Sequence, residues 1–354
     1  MNKALIAMSG GVDSSLAAKL TLDMEFDCIG CTMKLYDNDD INAPHGKTCC
    51  SLDDVEDARA VANRLGIPFY VFNFKEEFKD KVINNFINSY EEGRTPNPCI
   101  ECNKHLKFDK LFDRAHELGY DYVVTGHYAR VESDGNRFYL KKAVDENKDQ
   151  SYVLYSLTQE QLSHVMFPLG NFSKTTVREM ASENNFVNAA KPDSQDICFI
   201  PDGDYAAFME RNTGKIYEPG NFIDVNGNVL GQHKGIIRYT VGQRKGLGIA
   251  LGTPMYVKRV NIKDNTVTLA SDAELFSKEV LVDNVNWTSG VCPTTEFNCK
   301  AKIRYRHKEQ PCQVFPITST SIKIVFDEPQ RAPTPGQSAV LYDGDIVLGG
   351  GIIC

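Results

Sequence analysis

Ala4-Leu5-Ile6-Ala7-Met8-Ser9-Gly10-Gly11-Val12-Asp13-Ser14-Ser15 is the stretch on which the reading of the whole chain turns. Ala4 to Met8 is a short apolar run with the pattern of a buried parallel strand, and Leu16-Ala17-Ala18-Lys19-Leu20 reads as a helix. The turn between them is small and Gly-rich. A strand ending in such a turn aims backbone N–H groups and a helix N-terminus at one point, where a phosphate or pyrophosphate binds. Gly10 and Gly11 permit close backbone approach, Ser9, Ser14 and Ser15 add hydroxyl donors, and Asp13 is a candidate Mg²⁺ holder. This is not the Walker pattern. Gly46-Lys47-Thr48 has Ile41 where the first glycine belongs and runs into Cys49-Cys50.

A chain of 354 residues predicts two or three domains with ample core. Its 42% hydrophobic and 24% charged content is that of a soluble globular protein. No apolar run reaches membrane-spanning length, and Leu5–Met8 is too short for a secretory signal, so a cytoplasmic protein with no membrane partner is expected. Eleven cysteines, an odd count in a long chain, speak against a disulfide scaffold and for core residues, ligands or catalysts. The net charge of −8 excludes a surface that is basic throughout. Yet Val225 to Lys263 holds no Asp or Glu, while Lys234, Arg238, Arg244, Lys245, Lys258, Arg259 and Lys263 all occur there. A second basic cluster, Lys300, Lys302, Arg304, Arg306 and Lys308, is interleaved with Tyr305 and His307. Local basic faces with aromatics point to nucleic acid.

The first ~200 residues alternate strand and helix, which predicts an α/β doubly wound parallel sheet with its ligand past the carboxyl ends of the strands. Gly10–Ser14, Met33 and Thr125-Gly126-His127 fall on that edge. Asp134-Gly135 signals a hairpin between Tyr128–Glu132 and Arg137–Lys141. From about Tyr205 the pattern changes to short β-branched runs broken by turns. The expected division is residues 1–204, a catalytic α/β domain; 205–272, a small central β-rich domain; and 273–354, a β-rich, barrel-like C-terminal domain.

Two segments carry reactive side chains. The prolines of Thr95-Pro96-Asn97-Pro98-Cys99-Ile100-Glu101-Cys102-Asn103 predict a non-helical stretch leading into a helix at Lys104. Cys102 is then expected just before a helix N-terminus, whose dipole lowers a thiol pKa. Cys99 and Cys102 form a C-x-x-C, readable as a redox pair or half a metal site; Cys28 and Cys31 share the spacing but fall in a strand that buries a thiol. The second segment is Lys191-Pro192-Asp193-Ser194-Gln195-Asp196-Ile197-Cys198-Phe199-Ile200. There Cys198 lies between apolar residues.

The opening loop resembles the SGGxDS signature of the PP-loop ATP-pyrophosphatases, which cleave ATP between the α and β phosphates and adenylate a substrate oxygen. Taken with TPNPCIECNKHLKF (95–108), TGHYAR from Thr125, KDQSYVLY from Lys148, DSQDICFI from Asp193, GQHKGIIRYTVGQRKGLGI (231–249), AKIRYRHK (301–308), TPGQSAVLYDGD (334–345) and LGGGII (348–353), the chain resembles the tRNA-specific 2-thiouridylases along its whole length. That family converts the wobble uridine of certain tRNAs to 2-thiouridine. The resemblance implies a PP-loop, adenine nucleotide alpha hydrolase-like first domain. It implies ATP binding by Ala7, Met8, Ser9, Gly10, Gly11, Val12, Asp13, Ser14, Met33 and Gly126, with Mg²⁺. Asn97, Pro98 and Cys99 would face the target base, and His127, Lys148, Asp149, Gln150, Arg304, Tyr305 and Gln337 would meet the tRNA. Cys102 would be the catalytic thiol and Cys198 the persulfide carrier, loaded by a donor such as a cysteine desulfurase or a sulfur-relay protein. Some members carry Asp where this chain has Cys99.

A uridine C2 oxygen is a poor leaving group, and adenylation lets it depart as part of AMP. On the roles the resemblance implies, a Cys198 persulfide would then supply sulfur, and attack by Cys102 on the inner sulfur would leave a Cys102–Cys198 disulfide. Two other readings use the same residues. One makes Cys99, Cys102 and Cys198 ligands of an iron–sulfur cluster with an open position. The other keeps the loop and adenylates a small molecule.

Overall fold

The computed structural model describes residues 1–37, 52–192 and 197–354. The loop beyond Asp37 with Cys49-Cys50, and Asp193-Ser194-Gln195-Asp196, lie outside the described residues.

Five strands build the first sheet: β1 (Lys3–Ala7), β2 (Asp27–Lys34), β3 (Phe69–Asn73), β4 (Tyr122–Val124) and a two-residue β7 (Val165–Met166) that the sequence pattern did not mark. They pair in parallel in the order β3-β2-β1-β4-β7. Ala4, Leu5 and Ile6 are wholly buried, as a central parallel strand requires. Alternation then sends Leu5, Ile29 and Cys31 into one apolar layer and Ala4, Ile6 and Cys28 into the other. The helices Val12–Asp23 and Leu52–Leu65 cover the second face, while Phe78, Phe86, Leu106 and Leu111, from the helical runs 75–91 and 98–117, cover the first. The sheet is doubly wound.

The expected hairpin forms as β5 (Ala129–Ser133) and β6 (Phe138–Lys142). It does not belong to the parallel sheet. It joins the wall of the C-terminal sheet through Ile346↔Lys141, held by ion pairs from Arg130 to Asp345 and from Lys142 to Glu309.

The expected change to β structure at Tyr205 is corrected: Tyr205–Thr213 is a helix, and the first strand of the region begins at Gly220. Asp204 caps it by accepting the Ala207 N–H, Gly214 ends it in the left-handed region (φ 66°), and Ala206, Phe208 and Met209 are its buried side. The central sheet follows, with β8 (Gly220–Ile223), β9 (Val229–His233), β10 (Tyr256–Asn261) and β11 (Thr266–Ala270) in the order β10-β11-β8-β9. Its Phe222, Val257 and Leu269 share one buried cluster with Phe199 and Phe208.

Six more strands, β12 (Phe276–Trp287), β13 (Phe297–Lys302), β14 (Gln310–Pro316), β15 (Ile322–Arg331), β16 (Ser338–Asp343) and β17 (Ile346–Ile353), are ordered β12-β15-β14-β13-β16-β17. Pairing of β12 with β17 closes them into a barrel. No helix among the described residues is long and apolar enough to cross a membrane.

Candidate active site

Gly11 is the N-cap of the helix Val12–Asp23 (φ −89°, ψ 159°), and no side chain caps it. The first-turn N–H groups thus point past the carboxyl end of β1 with no side-chain acceptor, the arrangement that takes an anion. The loop hydroxyls, expected as free donors, are partly committed to the loop itself. Ser14 Oγ donates to Gly11 O (3.0 Å) and accepts the Ser9 N–H (3.1 Å), and Ser15 Oγ also donates to Gly11 O. They hold the turn's shape.

Gly10 has φ +74°, and a Cβ there would stand 2.3 Å from the Asp54 carbonyl oxygen. Gly126 is required for a different reason: its Cβ would stand 2.7 Å from the Ser14 backbone nitrogen. The loop after β4 therefore lies directly against the phosphate turn.

Asp13 is the charged centre of this edge. Lys174 Nζ reaches both its carboxylate oxygens at 2.7 Å, and Tyr128 OH donates to it at 2.8 Å. Lys191 Nζ pairs with Asp54 and Asp57 at 2.6 Å each, and Asn188 donates to Gly10 O and Ser15 Oγ. Asn188 Oδ1 is buried with no hydrogen-bond partner. An uncapped helix start, a carboxylate, two lysines and an orphaned buried acceptor suit a triphosphate with its Mg²⁺. Sequence reading missed Tyr128, Lys174, Asn188 and the role of Lys191. Each sits in an ordinary polar context, and only folding brings them to the loop.

The cysteine segment corrects one expectation. The helix begins at Pro98, not Lys104, and runs to residue 117. Proline at the first helical position costs nothing, since that N–H has no intrahelical acceptor, and Asn97 Oδ1 caps the start by accepting the Cys99 N–H at 3.1 Å. Cys102 thus lies a turn inside the helix, and the dipole argument passes to the exposed Cys99. Cys102, Met33, Ile197 and Cys198 all border the same apolar cluster, which includes Leu35, Tyr36, Phe78 and Phe199. Tyr36 OH bonds the Cys198 carbonyl at 3.1 Å. Burial pushes the Cys28 thiol up to about 11, and Cys31 further still, so both are inert core thiols. Asp109 and Glu101 flank His105 and raise it to about 9, so it is protonated at neutral pH. Among the described residues no three Cys, His, Asp or Glu side chains are grouped to hold a metal, and Cys99, Cys102 and Cys198 are no exception.

All three parts of the chain fix the strand of backbone ahead of Asn97. Thr95 N–H donates to Pro335 O (2.8 Å), Gln337 Nε2 donates to the carbonyls of Thr95 and Pro96, and Thr95 Oγ1 meets Thr240 Oγ1 at 3.2 Å. The Gln337 amide, expected on RNA, is committed to this loop. Arg304 is likewise drawn inside: its Nη2 donates to Val241 O, Ala332 O and Thr334 Oγ1, tying the central sheet to the barrel. Tyr305 is exposed beside it. Asp149 is buried and accepts from Ala143 N, Ser151 N and Ser151 Oγ, and Gln150 accepts the Tyr128 N–H, so these two shape a turn. His127, expected at the RNA surface, is only 7% exposed, its ring packed between Phe108 and Phe167.

Family models match the whole length: a tRNA methyl transferase HUP domain over residues 2–202, a tRNA methyl transferase PRC-barrel domain over 206–271, and an aminomethyltransferase β-barrel domain over 277–353. A tRNA-specific 2-thiouridylase MnmA of Clostridioides difficile is 53% identical over 99% of this chain and 98% of its own. The chain belongs to the tRNA-specific 2-thiouridylase family. The Acetivibrio thermocellus 2-thiouridylase is 52% identical and the Halothermothrix orenii one 47%, each covering 99% or more of both chains. Among solved structures, a 4-thiouridine synthetase in complex with RNA and ATP is 21% identical, covering 56% of this chain and 45% of that one with a TM-score of 0.38. The geometry above is thus that of a 2-thiouridylase family member with cysteine at position 99.

Proposed function

We propose that this chain is an ATP-dependent tRNA-uridine 2-sulfurtransferase, acting on the wobble uridine of an anticodon loop. The observation that carries the reading is the presence of two features in the first domain. One is a phosphate loop with an uncapped helix start; the other is a pair of half-buried thiols, Cys102 and Cys198, bordering one apolar cluster.

The C2 oxygen of uridine attacks the α-phosphorus of ATP; the O–P bond forms as the bond to pyrophosphate breaks. The outer sulfur of a Cys198 persulfide attacks C2 and AMP departs with the oxygen. Cys102 then attacks the Cys198 sulfur, breaking the S–S bond; the base keeps the outer sulfur, and a dithiol reductant reopens the Cys102–Cys198 disulfide. Asp13 would hold Mg²⁺, which would offset phosphate charge. Asn97, Pro98 and Cys99 meet a base splayed from its stack, and Lys148 and Tyr305 lie at the RNA surface. The sulfur comes from a persulfide donor such as a cysteine desulfurase or relay protein, and the location is cytoplasmic. The three functional units are residues 1–204, 205–272 and 273–354. A methyl transfer, the activity named in the family model's description, would leave both the phosphate loop and the cysteine pair without a task.

Anaerobically purified protein, ATP, Mg²⁺, a persulfide source and unmodified tRNA should yield 2-thiouridine by mass spectrometry after digestion, without iron in the preparation. ATP cleavage with no thiolated base would overturn the substrate assignment, and activity proportional to iron would overturn the persulfide route.

A further inference from the structure

His127 Nδ1 lies 2.6 Å from Thr125 Oγ1, and its other nitrogen, Nε2, lies 3.5 Å from Lys107 Nζ. Burial, with Lys107 adding to it, holds the His127 pKa well below 6.5, so the ring is neutral. A neutral ring facing an ammonium has Nε2 as acceptor and Nδ1–H as donor, to Thr125. In that tautomer the Nε2 lone pair is turned to Lys107 and the Nδ1–H to Thr125.

Lys107 is set apart from the other lysines of this edge. Lys174 is committed to Asp13, and Lys191 to Asp54 and Asp57. Lys107 pairs with no carboxylate among the described residues, and its bonded neighbour is an uncharged ring. Its ammonium has two further N–H donors. Its neighbour His127 directly follows Gly126, where an added Cβ would stand 2.8 Å from the Asp13 carbonyl carbon and 2.7 Å from the Ser14 nitrogen, so the loop that holds the ring lies against the phosphate turn.

Residues 103–110 are a π-helix. Cys102 and Lys107 are five positions apart. In a regular α-helix that spacing puts them about 140° from one another. The i→i+5 register of π-turns rotates them toward one face, and such segments recur at functional sites.

We propose that Lys107 is a catalytic residue: directed by His127, its ammonium contacts the α-phosphate and offsets the charge that builds there as pyrophosphate leaves, and again as AMP departs. The inference rests on the adenylation reading above. It adds no proton transfer and no bond; Lys107 remains protonated throughout, and His127 acts as a positioning residue.

The test compares wild type, Lys107→Met, Lys107→Arg and Lys107→Ala for tRNA-dependent pyrophosphate release, ATP affinity and melting temperature. Lys107→Met should slow release about 100-fold or more, the scale of losing one charged donor at a transition state. ATP affinity should change by less than about fivefold, because the contact strengthens only during reaction. Added alkylammonium ions should partly restore Lys107→Ala, Lys107→Arg should retain more activity than Lys107→Met, and His127→Leu should be non-additive with Lys107→Met. Release by Lys107→Met within threefold of wild type would overturn the proposal. So would a loss that tracks the melting temperature and is not rescued by amines. Wild-type protein that releases no pyrophosphate with tRNA would instead overturn the adenylation reading, and this inference with it.

Discussion

Cys198→Ser should abolish 2-thiouridine formation, by about 10³-fold or more, while tRNA-dependent pyrophosphate release continues near the wild-type rate. A serine oxygen carries no transferable sulfur, so the loss is chemical. The substitution nearly conserves volume. Tyr36 holds this position through the Cys198 carbonyl, not the thiol, so the backbone tether survives it. Phe199 remains buried against Phe78 and Phe86. The phosphate loop is a separate set of contacts, through Gly10, Asp13 and Lys174, and adenylation should proceed without Cys198. Activity retained with a persulfide donor would remove Cys198 from the sulfur path. Loss of pyrophosphate release together with thiolation would make Cys198 part of the adenylation site.

Gly10→Ala should destroy ATP binding, by at least about 100-fold, and lower the melting temperature. The left-handed φ of +74° costs a non-glycine residue roughly 1–2 kcal/mol. The added Cβ would also meet the Asp54 carbonyl oxygen at 2.3 Å and its Cα at 2.8 Å. Those are backbone atoms of the helix Leu52–Leu65, and no side-chain rotation relieves them. The loop must move, which strains the Gly10 carbonyl bond from Asn188 and turns the first-turn N–H groups away from a phosphate. Gly11→Ala is the stability control, because its φ is −89° and its Cβ would find nothing nearer than Ser9 Oγ at 3.6 Å. Calorimetry with ATP and thermal melts of both variants decide the matter. Equal ATP affinity in Gly10→Ala and wild type would show that this turn does not hold the nucleotide.

The parallel sheet and the turn after β1 were legible because they rest on local signals: an apolar run, a Gly-rich turn, and helices ended by Gly66, Gly93 and Gly119, all at positive φ. The misplaced start of the cysteine helix came from reading Pro98 as a breaker. Proline is as compatible with the first helical position as with a loop, and Asn97 was the cap that distinguishes them. The helix Tyr205–Thr213 was missed for lack of weight on Asp204 and Gly214 as its two ends. What the sequence does not encode locally is partnership. Lys174 is 161 positions from Asp13, and Gln337 is 242 from Thr95, so neither contact leaves a mark in any window of sequence. Recognising motifs found Arg304, Asp149, Gln150 and His127 as a set, yet not that their side chains face inward. Burial was the missing term: a polar residue required by the site and one required by its scaffold look alike in sequence.

The transfer of oxygen tests the central claim most directly. tRNA carrying ¹⁸O at the C2 position of the wobble uridine is thiolated with unlabelled ATP, and the AMP is examined by mass spectrometry. Adenylation of that oxygen predicts one ¹⁸O in AMP for each 2-thiouridine formed. Unlabelled AMP alongside 2-thiouridine, with the isotope recovered in water, would contradict it and place the activation of the base elsewhere than at the α-phosphate.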